Sequence, residues 1–300
     1  MSTPSENIAT TSDDVSVDTM TDTLEGEQDV TYVEGVGNIP RDIYKLVKSD
    51  PLGDLPRYSY HIVIQHFLTF ITFLVLASTG LTLHFSDLWW APYVISLFGG
   101  ADTARLIHRV AAFLMVAASV YHLITIIGGT LQKVSKKQFD IKRTQIPGLK
   151  DLKDIVHDMK YFMGKENYRP KMEKFMYKQK LHYLAILWGS FVLITAGTSL
   201  LFPETMATIW PNAAFFQDLA RLMHADEAIM ALTVIVFWHW SNVHLVPGRF
   251  PLQWSFITGK ITREHQIEEH FLEYIRNLKE IPEEKEYMKK VLKENGFETN

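Results

Sequence analysis

The chain has no cysteine in its 300 residues. Disulfides, iron–sulfur ligation and the thioether attachment of a c-type haem are therefore excluded, and any haem is held non-covalently. Positive charge is missing from three stretches. Residues 1–40 hold nine acidic residues and no Lys or Arg. With no basic start and no continuous apolar core, this segment lacks the form of a secretory signal, and its Ser, Thr, Asp and Glu content predicts a disordered acidic tail. The other two stretches, 85–103 and 203–218, also contain no Lys or Arg. Overall charge is only −4, and no nucleic-acid partner is expected.

Apolar residues make up 47% of the chain, but they are concentrated in four runs, approximately 62–83, 104–128, 182–202 and 219–246. Each run approaches or exceeds the roughly 20 residues that cross a bilayer as a helix. Between the runs, positive charge is very uneven. The 129–180 connection carries fourteen Lys and Arg, the region from 247 carries nine, and Arg41, Lys45, Lys48 and Arg57 precede the first run. The positive-inside rule then puts both termini and the long middle loop in the cytoplasm and the two connections without Lys or Arg outside. Trp89, Trp90, Tyr93 and Trp210 in those connections fit an interfacial aromatic belt. A soluble globin-like bundle has no reason to sort its charges this way. The expected architecture is an all-α integral membrane four-helix bundle. It divides into an acidic tail (1–40), a cytoplasmic pre-membrane segment (41–57), a membrane domain (58–262, with the 129–180 loop) and a cytoplasmic helical tail (263–300).

Two polar regions show helical periodicity of their own. Leu149, Leu152, Ile155, Val156, Met159 and Phe162 recur among Lys and Asp between Pro147 and Gly164, which predicts an amphipathic helix for the membrane surface or a partner. Ile267, Phe271, Ile275 and Leu278 repeat the pattern after Thr262. A solvated helix packed on its own domain is the alternative for both. His157, His265 and His270 lie in these regions and are expected at the surface.

The chemistry is expected from the histidines of the apolar runs, since ionisable groups inside a membrane are costly and mark function. His108 with His122 and His224 with His239 stand fourteen and fifteen residues apart. On a helix these separations return to within about 40° and 60° of one face and span roughly 21 Å of a bilayer about 30 Å thick. This is the layout of two stacked haems. A neutral imidazole donates a nitrogen lone pair to iron while its other N–H is held by a neighbouring group, and two imidazoles fill both axial positions and favour electron transfer. By depth, His108 and His224 share the outer level, whereas His66, His122 and His239 share the inner one, with His182 at the inner interface. His108 with His224 is the strongest pairing. His239 is the best first ligand inside, with either His66 or His122 as its partner. Gly80, Gly189 and Gly197 permit close approach of a porphyrin or a helix, and Arg105, Arg109 and Arg221 could pair with haem propionates or simply snorkel. For a quinone, His182 and Asn242 are the candidates at the inner helix ends, where polar groups that handle protons are required.

Several short motifs then carry a family resemblance. Gln65-His66-Phe67, Thr79-Gly80-Leu81, Phe98-Gly99-Gly100 and Leu106-Ile107-His108-Arg109 occur in order, followed by Gln179-Lys180-Leu181, Leu222-Met223-His224, Trp238-His239 and Thr258-Gly259-Lys260. Together they resemble the membrane cytochrome b subunits of formate dehydrogenase (the gamma subunit) and nickel–iron hydrogenase, over about 58–262. The resemblance implies two b haems, ligated by His108 with His224 and by His66 with His239, and a menaquinone that exchanges electrons at the cytoplasmic side. The chain departs from the pattern in three places: the additional His122, Met176-Tyr177-Lys178-Gln179-Lys180 in place of the family's Asn-x-Gly-Gln-Lys turn, and the fifteen-residue spacing in the fourth run.

The function expected is that of an electron-transfer subunit of a quinone-linked oxidoreductase in a bacterial-type inner membrane, not a stand-alone enzyme. It would pass electrons between the quinone pool and a periplasmic redox protein, alongside other subunits of a respiratory complex. Two readings compete: a haem-free membrane anchor, and a transporter with a histidine proton relay, which would call for broken helices, inverted repeats or mid-membrane carboxylates.

Overall fold

Inside a bilayer no water is available to backbone N–H and C=O groups, so a long apolar run must close its hydrogen bonds within itself, and a helix does this. The computed structural model describes residues 29–210, 212–246 and 249–299, and most of them are helical. The helices are α1 (Tyr60–His84), α2 (Ala91–Leu97), α3 (Ala101–Ser135), α4 (Leu149–Phe162), α5 (Tyr177–Leu201), α6 (Pro203–Ile209), α7 (Ala213–Thr233), α8 (Trp240–His244), α9 (Ser255–Thr258), α10 (Arg263–Glu269), α11 (Phe271–Glu280) and α12 (Pro282–Glu294). Two small antiparallel sheets pair β1 (Val30–Val33) with β2 (Gly37–Pro40), and β3 (Leu55–Pro56) with β4 (Lys260–Ile261).

Three helices, α1, α3 and α5, are long and apolar enough to cross a membrane. Their hydroxyl donors are satisfied locally. In α1 the hydroxyls of Thr72, Ser78, Thr79 and Thr82 each donate to the carbonyl four residues back, at 2.5–2.7 Å, so no hydroxyl proton needs a partner outside the helix. The fourth apolar run differs. It folds as α7 and α8 joined by a π-helical turn, Val234–His239, and carries Asp218, Arg221, Asp226 and Glu227. The expected set of four similar helices thus becomes three uninterrupted ones and a fourth that is charged and broken by the π turn.

The long helices associate in two pairs, α1 on α3 and α5 on α7. Small residues fill the seams: Ala104, Ala111 and Ala118 are buried on α3, and Ala196 on α5. Leu123, Ile127, Leu187, Trp188 and Phe191 face outward, the inverse of a water-soluble bundle. The two connections without Lys or Arg contain the short helices α2 and α6.

The core of ordinary soluble character lies elsewhere. Val33, Val36, Ile39, Ile43, Leu55, Ile261, Ile267, Phe271, Tyr274, Ile275, Leu278, Met288 and Leu292 form one buried cluster. It joins the segment before α1 to the helices after α9, so residues 41–57 and 263–299 form a single packed domain. Residues 30–40, expected within the disordered tail, belong to it as well. Val33, Val36 and Ile39 supply an apolar face that the acidic composition of the tail conceals, and the β1–β2 hairpin buries it. The remainder of the tail, 1–28, lies outside the described residues.

The two amphipathic segments orient oppositely. On α11 the apolar side is turned inward. On α4 it is turned outward, with Leu149 81% exposed, whereas Asp151, Asp154 and Asp158 are buried. Those carboxylates meet cations: Asp151 with Lys180 at 2.9 Å, Asp154 with Lys150 at 2.6 Å and Asp158 with Arg169 at 2.9 Å.

Candidate functional site: histidines at two levels of the bundle

At the level expected to be the outer one, two histidines approach each other from the two helix pairs. His108 of α3 and His224 of α7 have ring centres 6.3 Å apart with planes at 73°. Each is held on the helix that precedes it. The Thr79 hydroxyl donates to the Val75 carbonyl at 2.6 Å, so its oxygen accepts from Nδ1–H of His108 at 2.9 Å. Nδ1–H of His224 donates to the Leu193 carbonyl at 3.1 Å. A glycine makes room for each ring. A Cβ on Gly80 would lie 2.9 Å from His108 Cε1, and one on Gly197 would lie 3.0 Å from His224 Cε1. Any larger residue at either position would push the imidazole aside.

The equivalence of the two halves runs through the sequence. Asp102-Thr103-Ala104-Arg105-Leu106-Ile107-His108 recurs as Asp218-Leu219-Ala220-Arg221-Leu222-Met223-His224. Val75-Leu76, Gly80, Leu83 and Phe85 recur as Val192-Leu193, Gly197, Leu200 and Phe202. The bundle is a duplicated helical hairpin at this end. Arg105 pairs with Asp102 at 2.7 Å, and Arg221 with Asp218 at 3.6 Å, one turn before each histidine. Self-comparison of the sequence at a shift of 116–117 residues is the signal that reveals this, and motif reading alone misses it.

The π turn accounts for the unequal spacing inside the helices. One i→i+5 turn absorbs about one residue more than an α turn. Fifteen residues from His224 to His239 then do the work of fourteen from His108 to His122, and the two histidines return to equivalent positions.

Around them the inner level loses its symmetry. His122 is held at both nitrogens: Nδ1 by Gln65 Oε1 at 2.9 Å and Nε2 by the Tyr183 hydroxyl at 3.0 Å. Gln65 is itself anchored, its amide donating to Thr125 Oγ1 at 2.8 Å. Shifting by the repeat, Gln65 corresponds to His182 and Tyr183 to His66. His239 accordingly has His182 beside it, ring centres 5.0 Å apart and planes at 11°, and His66 and His244 within electrostatic reach. The His182 Nε2 atom is buried with no hydrogen-bond partner. His66 rests against Phe256 of α9, ring centres 5.5 Å apart. Asn242 is exposed and donates to the Trp238 carbonyl at 2.7 Å, a local bond within its own helix. The motif residues Gln179 and Lys180 are engaged too, Gln179 capping α5 through Met176 N–H at 3.2 Å and Lys180 pairing with Asp151.

Outside the bundle one further cluster combines metal-ligand residue types, His265, Glu269 and His270. Most of its atoms are already engaged, although Glu269 Oε2 lacks a hydrogen bond. His270 donates from Nδ1 to the Glu173 carbonyl at 3.0 Å and accepts at Nε2 from Arg57 at 3.2 Å, and Glu269 pairs with Arg249 and His265. Two guanidinium groups at this spot repel a cation, so the cluster is an ion-pair network. His270, expected at the surface, is 1% exposed, because a neutral imidazole with both nitrogens paired is tolerated inside. His265 is also largely covered, and His157 is partly so, bonded to the Tyr168 carbonyl at 3.1 Å.

No protein-family model and no curated protein matches this chain.

Proposed function

We propose that this chain is a dihaem cytochrome b, a four-span membrane subunit with both termini cytoplasmic. It would carry electrons between the quinone pool and a redox partner on the periplasmic side. The His108–His224 pair carries the reading. A metal-bound imidazole nitrogen sits about 2 Å from the ion and roughly 1 Å from its own ring centre, so two axial rings on one ion have centres about 6 Å apart. The 6.3 Å separation fits this. Both rings are anchored at Nδ1, which fixes the tautomer and leaves the Nε2 lone pairs for iron, and Gly80 and Gly197 keep the rings from being displaced.

At the inner level we assign His239 with His66. His122 would have to give up Gln65 or Tyr183 to reach iron. His182 lies face to face with His239, so the in-plane lone pairs of the two rings do not converge on one ion. Haem iron, when bound, supplies reversible one-electron transfer. The remaining inner residues handle protons. A quinol that yields two electrons also releases two protons, and His182, with its unpartnered Nε2, is the acceptor nearest His239. The resemblance to formate dehydrogenase gamma subunits supports the same assignment, and the wiring serves either direction of flow.

A reduced-minus-oxidised spectrum with haem quantification tests the reading. Two b haems per chain are expected. None would leave the haem-free anchor as the better description. The proton-relay transporter gains the π turn that breaks the fourth helix but is less well supported, because the duplicated hairpins have the same orientation instead of an inverted one.

A further inference from the structure

We infer that α4 is an interfacial helix that lies on the cytoplasmic surface of the bilayer, with its apolar face in the lipid headgroup region. The inference rests on α5 crossing the membrane. Its starting point is the reversed polarity of α4. An amphipathic helix that packs on its own domain turns its apolar side inward, as α11 does. On α4 the buried side is ionic, and Leu149, Leu152, Val156, Met159 and Phe162 stand on the open side, each at least about half exposed.

The level and direction of α4 follow from its ties to α5. Asp151 pairs with Lys180 at 2.9 Å, and Asp158 accepts from the Tyr177 hydroxyl at 2.7 Å with Lys178 at 3.7 Å. Asp151 and Asp158 are about 10.5 Å apart along α4, whereas Tyr177 and Lys180 span only about 4.5 Å of α5. Parallel helices would spread their contacts equally along both, so α4 crosses the first turn of α5 instead of running beside it. A helix laid across the end of a membrane-spanning helix lies in the plane of the membrane, at the depth where the span begins. Arg169, from the segment that leads to α5, closes the same carboxylate row at Asp158.

The chemistry of the occupant is set by what borders the face. Lys153 and Lys160 are exposed on α4, Lys136 and Lys137 follow α3, and all three acidic residues of α4 are turned away and neutralised. An open apolar strip edged with lysines matches anionic lipid, which combines an acyl boundary with negative headgroups. The helix that α4 crosses is apolar on its outward face as well, at Leu181, Leu184 and Trp188.

The absence of cysteine makes the test clean. Single variants Leu152→Cys and Met159→Cys of the full chain, labelled with a polarity-sensitive fluorophore, are reconstituted into phosphatidylcholine–phosphatidylglycerol vesicles. Leu187→Cys in α5 and Lys290→Cys in α12 serve as references. Labels at 152 and 159 are expected to shift to the blue and to lose emission to a lipid carrying its quencher near the headgroup, while resisting aqueous iodide. The 290 label should respond only to iodide, and the 187 label only to a lipid quencher placed deep in the acyl region. Iodide quenching at 152 and 159, with 187 still lipid-quenched, overturns the inference and leaves the span intact. Shielding from both quenchers also overturns it, since protein then covers the face. Iodide quenching at 187 would mean that α5 does not span, and the inference falls with that reading.

Discussion

The two ends of the bundle are built on different plans from the same duplicated hairpin. At the outer end the halves match in plan: a histidine on the second helix of each hairpin, a glycine beneath its ring, and an acceptor at Nδ1, the Thr79 hydroxyl on one side and the Leu193 carbonyl on the other. At the inner end the repeat has diverged. One half keeps imidazoles, His182 beside His239. The other has Gln65 in the place of His182, and its His122 is locked between Gln65 and Tyr183, the latter reaching across from the half that holds His182. Symmetry suits a site where both halves do the same thing to one ion. Its loss suits a place where a ligand position and a proton-handling position stand side by side.

The largest expected effects test the symmetric end. His108→Ala and His224→Ala should each remove one whole haem of the proposed two, and to the same extent, measured by haem content and the amplitude of the α-band. Unequal losses would show that the pairing is not mutual. The inner end should respond unequally: His239→Ala and His66→Ala should each lose the other haem, whereas His122→Asn should retain both. Loss of a haem from the His122 variant with full retention in the His66 variant would reverse the assignment. Smaller shifts are expected from the cradles. Gly80→Val and Gly197→Val overpack the outer rings at a cost of about 1–3 kcal/mol, and redox titration should show the potential of only one haem moved. Thr79→Val removes the bond to His108 and should weaken outer haem retention by about 10- to 100-fold.

The smallest effect concerns the extramembrane domain beneath the inner end. Burial first, and Arg57 second, push the His270 imidazole well below its ordinary value of 6.5. Below about pH 6.5 the unfolded chain binds a proton that the folded chain does not, so stability falls as pH falls through that value and is unaffected above it. Thermal melting of the full chain between pH 7 and 5, compared with His270→Gln, should show a shallower acid decline in the variant.

Much of this was legible in the sequence, for identifiable reasons. Apolar runs and helices coincide because the bilayer solvent leaves a long apolar segment few other options. His108 and His224 could be paired in advance because both lie on helices at matched depth. What periodicity cannot convey is which face of a helix meets the protein: α4 and α11 have comparable patterns and opposite orientations, decided by Lys180, Tyr177 and Arg169 for one and by the Val36–Ile43 segment for the other. The tie between His122 and Tyr183 was hidden for a similar reason, since its members are 61 residues apart and hydrogen bonds between side chains leave no periodic trace. The π turn was visible only as an odd residue in a spacing.

The β3–β4 pair has a consequence for the chain as a whole. Leu55 and Pro56, just ahead of α1, pair with Ile261 and Lys260, just beyond α9, and Arg57 and Tyr58 both donate to the Gly259 carbonyl, at 2.8 and 2.9 Å. The membrane portion is therefore a closed ring, clasped where it begins and ends. Opening a gap between the first and last helices requires undoing the clasp and the core fused to it. A single protease cut in the 136–148 linker would leave two pieces, each containing one hairpin of the duplication, still joined by that clasp. Such a nicked protein should migrate as one particle until the small domain is denatured, which makes the domain a lock on the order in which the bundle comes apart.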